Sequence, residues 1–154
     1  MPDLDRTSDV DYRKAIADAR RRSDYSGAWV DFTGEPSAFD DADVLSELND
    51  KVILTLAFTG DLARHEEEAR RAWGGPLCVV EFERTYRELR RMQDEVGEIG
   101  EREFGLEVLS TDGLEFRNVV EIYVLIIDAA TQKKLDDRYG AGVVEVTAQL
   151  RPVP

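Results

Sequence analysis

Carboxylates, one imidazole and one thiol are the side chains with which this chain could do chemistry. Glu121 interrupts the apolar run 119–127 and Asp128 follows it. Paired acids of this kind suit general acid–base work if both reach one substrate atom. A carboxylate inside a central strand either carries a raised pKa or stands at a ladder position facing water or an arginine, and the second reading is the one expected here. His65 is the only histidine and sits in the charged stretch Arg64-His65-Glu66-Glu67-Glu68, which reads as the solvated face of a helix. Cys78, the only cysteine, lies in an apolar strand with no cationic helix start nearby, so a buried neutral thiol is expected.

The remaining candidates are weaker. Asp40, Asp41 and Asp43 supply oxygens for a hard cation but lack the Asp-Gly geometry of a calcium loop, so they read as a solvated loop. Trp29, Trp73 and Phe32 either line an aromatic pocket or belong to the core, and aromatics that flank strands and close helices are usually core. The glycines never follow a strand in a phosphate-cradling pattern. No catalytic residue, metal ligand or cofactor site is therefore expected.

The elements that must position these groups can be read from periodicity and breakers. Residues 12–22 form a short amphipathic helix and 27–32 an aromatic-rich strand, followed by a long acidic loop over 33–50. Residues 51–58 and 119–127 are almost continuously apolar, the pattern of central strands covered on both faces. Helices follow each of them, over 61–73 and 128–139, and glycines end both. Strands over 77–83 and 143–149 come next. Between the halves, Thr85 and Glu88 form a capping box that opens a long connecting helix. A strand over 105–110 and a turn at Asp112-Gly113 lead into the second half.

Trp73-Gly74-Gly75 is answered by Tyr139-Gly140-Ala141, an offset of 66 residues, which points to a duplicated subdomain. The expected fold class is α+β: two strand-strand-helix-strand units with a connecting helix, in mixed or antiparallel sheets covered by helices. The expected organisation is an N-terminal polar segment and short helix over 1–24, a first unit with the connecting helix over 25–100, and a second unit over 101–154.

Composition narrows the function classes. The chain has 154 residues, 42% apolar and 34% charged, enough to bury a core without disulfides or metals. Its net charge of -13 repels phosphate backbones, so neither nucleic acid nor an anionic membrane is an expected partner. Asp3, Asp5, Asp9 and Asp11 leave no apolar core for a signal peptide, which fits a cytoplasmic protein or an exported one whose signal has been removed.

Three segments carry a family likeness: Tyr25-Ser26-Gly27-Ala28-Trp29-Val30-Asp31, then Thr85-Tyr86-Arg87-Glu88-Leu89 with Gln93, and Arg138-Tyr139-Gly140 before a Val-rich strand. Together they resemble the pro-regions of bacterial serine proteases of the alpha-lytic protease and streptogrisin type. The resemblance implies a foldase and inhibitor that packs its sheet beside the protease and lays its C-terminal tail across the cleft, with no catalytic residues of its own. The expected function is thus a non-catalytic protein-interaction module whose partner is another protein. Its partner-binding residues are Leu150, Arg151, Pro152, Val153 and Pro154, a tail that two prolines hold extended. The alternatives are a small enzyme using paired carboxylates such as Glu121 with Asp128, and a structural homodimer.

Overall fold

The computed structural model describes residues 4–32 and 52–150, the side chains of Leu4, Phe32 and Leu114 excepted. The chain divides into two compact units, Met1–Thr85 and Tyr86–Pro154. Each is described by itself.

In the first unit, Ser8 starts helix α1 (Asp9–Arg20) with a capping box, because Ser8 Oγ accepts from the Asp11 amide while Asp11 accepts from the Ser8 amide. Ala15 and Ala19 are its buried face. Strand β1 (Tyr25–Phe32) pairs antiparallel with β2 (Val52–Phe58), with a bulge between Tyr25 and Gly27. Helix α2 (Leu62–Arg70) then crosses over to β3 (Leu77–Glu81), which runs parallel to β2. The sheet order β1-β2-β3 makes β2 the centre, as its apolar run requires. Past α2, Trp73 folds back so that Nε1 donates to the Pro76 carbonyl at 2.9 Å, and its ring meets Tyr12 of α1 edge to face.

The second unit repeats this order. Helix α3 (Tyr86–Phe104) buries Leu89, Gln93, Val96, Ile99, Gly100 and Phe104, a spacing of threes and fours that marks one face. Strand β4 (Val108–Leu114) pairs antiparallel with β5 (Val119–Val124), and helix α4 (Ala129–Tyr139) crosses to β6 (Val144–Ala148), parallel to β5. Asp128 caps α4 by accepting from the Thr131 amide at 2.7 Å. The core joins Leu89, Val96 and Ile99 of α3 to Val120, Ile122 and Val124 of β5.

Both units are therefore α-β-β-α-β, each with a central strand antiparallel to one neighbour and parallel to the other. The α+β class and the paired units agree with the sequence reading. The ladder ends match as well. Leu54 donates to the Pro76 carbonyl as Val120 does to that of Val143, and Phe82 donates to Phe58 as Gln149 does to Val124. Central-strand residues such as Leu54 and Val120 lie the same 66 positions apart as Trp73 and Tyr139.

Three particulars differ from the sequence reading. The long helix packs on β4 and β5 and so groups with the second unit, where it is the counterpart of α1, instead of closing a first unit over 25–100. Its apolar face decides this, because Leu89, Val96 and Ile99 are needed to cover β5. Strand β5 alternates between buried and half-buried residues, so only one of its faces is covered. Asp112-Gly113 lies inside β4, and the chain turns instead over 115–118, closing with Asn118 at φ 56°.

Candidate functional site

A cleft of about 420 Å³ lies between α1 and α2 over the first sheet. Leu56 and Phe58 of β2 form its floor. Ala15 and Ala19 of α1, Ala69 of α2 and Ala72 of the turn after it line its walls, and all four are buried, as are Leu56 and Phe58. Around the mouth stand four cations, Lys14, Arg21, Arg22 and Arg71, against two acids, Asp18 and Glu68.

His65 lies in this wall. Its ring stacks on Phe58 with centroids 3.6 Å apart and planes 4° from parallel, and only 1% of its side chain is exposed. Nε2 is 2.7 Å from Asp24 Oδ2, and we assign the proton of that hydrogen bond to the ring, since a carboxylate can only accept. Burial works against the charge on Asp24. The bonds from His65 and from its own backbone, with the charges of His65 and Arg64, outweigh that and hold its carboxyl below the ordinary 3.8. Nδ1 stands 3.8 Å from Glu68 Oε2, beyond hydrogen-bond reach, while Glu68 itself pairs with Arg22 at 2.9 Å.

This corrects the expectation for His65, which is a buried polar residue and not part of the solvated face of its helix. The signal lay in the spacing: His65, Ala69 and Ala72 recur at steps of four and three with Leu62 before them, which places the imidazole on the inward side. Asp24 had no such signal, because a partner 41 residues away is set by tertiary packing.

Cys78 is corrected in the opposite sense. It is exposed, because β3 is an edge strand and Cys78 pairs with Thr55 on the sheet face turned away from Leu54 and Leu56. On that face Trp29 stacks on Phe82 with centroids 5.9 Å apart, and its Nε1 donates to Asp31 at 2.9 Å. Trp73, on the helix side, is 1% exposed and serves the core, so the two tryptophans line no common pocket.

Glu121 and Asp128 are engaged by different partners. Glu121 lies on the half-buried face of β5 and accepts from Tyr123 and Thr147 hydroxyls, both at 3.0 Å. Asp128 is engaged in capping α4. Leu150 is 55% exposed and donates its amide to the Leu125 carbonyl at 2.9 Å. Arg151, Pro152, Val153 and Pro154, like Asp40, Asp41 and Asp43, fall outside the described residues.

Among the described residues, no group of three or more His, Cys, Asp or Glu side chains is placed to hold a metal ion, and no helix is long and apolar enough to cross a membrane. Set against models of known protein families and against curated protein sequences, the chain matches none.

Proposed function

We propose that this chain is a non-catalytic protein-interaction module that engages another protein by strand addition along β6, with residues 150–154 continuing into the partner's groove. One observation carries the reading. The parallel ladder of β5 with β6 closes with Gln149 donating to the Val124 carbonyl, and in the bend that follows Leu150 donates to Leu125. Residues alternate in direction along a parallel ladder, so the amides of Val144, Val146 and Ala148 face away from β5. Among the described residues no strand lies beyond β6. Such an edge is a template for an added strand. Leu109, Ile126 and Leu150, each about half exposed, stand where β4 begins and where β5 and β6 end, and they give the same end of the sheet apolar side chains.

The resemblance to protease pro-regions names the partner class, a bacterial serine protease of the chymotrypsin-like type. Proline restricts the backbone it sits in, and a proline-rich segment costs less entropy to order on binding than a freely flexible one. The test is inhibition of an alpha-lytic or streptogrisin-type protease by the purified chain, followed as loss of peptide hydrolysis. The expected result is saturable inhibition that weakens on deletion of residues 151–154 and on Val146→Pro, which removes an outward amide. Unchanged protease activity in excess chain overturns the pro-region reading. A concentration-dependent dimer in sedimentation, abolished by Val146→Pro, would assign the same edge to a second copy of the chain.

A further inference from the structure

We propose that His65 is a proton-operated switch: a second proton on its ring transfers Glu68 from Arg22 to Nδ1 and so loosens the tie between α2 and the end of α1. Four side chains make the device. His65 and Glu68 stand one turn apart on α2, Arg22 follows α1, and Asp24 precedes β1. Nε2 of His65 is 2.7 Å from Asp24 Oδ2 and Arg22 Nη2 is 2.9 Å from Glu68 Oε2, so α2 holds the segment 22–24 at two points.

With a single proton on the ring, at Nε2, the other nitrogen carries a lone pair. Nδ1 stands 3.8 Å from Glu68 Oε2, and two acceptors share no proton, so Glu68 is left to Arg22. A proton added at Nδ1 turns that acceptor into a donor and places a positive charge between two carboxylates. The oxygen it approaches is the one Arg22 holds, so two cations compete for one atom. Position favours the ring. Its side chain is 1% exposed and fixed by Phe58 and Asp24, whereas the Arg22 side chain is 46% exposed, where an ion pair is worth little. Closing the gap takes about 1 Å of movement in the Glu68 carboxyl group, which a side-chain torsion supplies.

The charged groups that face the ring are Asp24 at the entry to β1, Arg64 and Glu68 on α2, and Arg22 after α1. Lys14, Asp18 and Arg21 from the α1 side and Arg71 after α2 line the same cleft, while β2 presents Phe58 and no charge. The two carboxylates and two guanidiniums nearest the ring cancel. A second proton therefore leaves one positive charge in excess, and Arg22, at the cleft mouth, relieves it by turning into water.

The experiment titrates the full isotope-labelled chain by nuclear magnetic resonance from about pH 8 to about pH 5, the range in which an unperturbed imidazole changes charge. His65 is the only histidine, so its ring nitrogens are read without ambiguity. The expected result is a ring protonated at Nε2 alone at the start and at both nitrogens at the end, with the amide spectrum still folded. The Glu68 carboxyl carbon and the Arg22 Nε should shift with the same midpoint as the ring. Glu68→Gln, a change at a partly exposed position, and His65→Gln should each abolish the Arg22 step, and in Arg22→Gln the Glu68 carboxyl should still follow the ring. A ring protonated at Nδ1 at the start, one that stays singly protonated while the chain is folded, or an Arg22 step that survives in His65→Gln would each overturn the switch.

Discussion

His65 lies flat on Phe58, 3.6 Å between ring centroids, and reaches back with Nε2 to Asp24 at the entry to β1. One imidazole thereby ties α2 to both strands of the antiparallel pair. Removing it strips a partly buried carboxylate of its short hydrogen bond, leaving it Arg64 at 3.7 Å, and opens a hole against Phe58. His65→Ala is expected to cost about 2–4 kcal/mol in urea denaturation, and His65→Gln, which keeps a donor, about half of that. An Ala variant as stable as the parent would refute this role.

The same pair sets an acid response. The Asp24 carboxyl is held below 3.8 in the folded chain, so its contribution is present above that value and is lost as pH falls through the lowered folded-state value. Stability should decline on acidification below about pH 4, and Asp24→Asn should be less stable at pH 7 yet show a shallower decline. Parallel curves for the two proteins would show that Asp24 is not responsible.

Tyr139 gives the alkaline counterpart. Burial first, and then the charge of Glu95, whose Oε1 accepts from the phenol at 3.2 Å, push its pKa up to about 12. Its stabilising contribution is complete below the ordinary 10.0 and is lost as pH rises toward the folded value. Ultraviolet titration should show Tyr139 ionising at about 12, with Tyr123, raised by its bond to Glu121, also late, and Glu95→Gln should bring Tyr139 back toward the ordinary value. Tyrosines that all ionise together would contradict the geometry.

Cys78 is exposed on an edge strand, so the native chain should react with a thiol reagent stoichiometrically and about as fast as the urea-unfolded chain. Protection by folding would place the thiol elsewhere.

Gly75 has no room for a methyl group. A Cβ there would overlap Trp73 Cζ2, and the indole cannot retreat, being buried and bonded through Nε1 to the Pro76 carbonyl. Gly75→Ala should destabilise by about 1–3 kcal/mol, read as a lowered denaturation midpoint. A neutral substitution would mean that the indole finds another seat.

Much of this architecture was legible because apolar runs and breakers report directly on strands and helix ends. The two central strands, the crossover helices and the repeat signalled by Trp73 and Tyr139 all follow from local pattern. What was not legible depends on which face meets which neighbour. Glu121, at a half-buried position, shows that β5 is covered on one side only, a fact its flanking valines and isoleucines conceal. Val79 and Val80 made Cys78 look buried, but a short edge strand leaves one side of each residue open. The cleft was invisible for the same reason: alanines on α1 and α2 read as helix formers, and only their apposition makes them walls.

The parallel strand that closes each unit has a consequence for synthesis. Every ladder bond of the first sheet joins residues that precede Thr85, and β3 is its last strand, so the sheet can be completed once Glu81 has left the ribosome, with the second unit still being translated. At about 5–20 residues per second, the remaining chain takes several seconds to emerge, longer than a small domain needs to fold. Nascent chains arrested past the first unit should already bury His65 against Phe58.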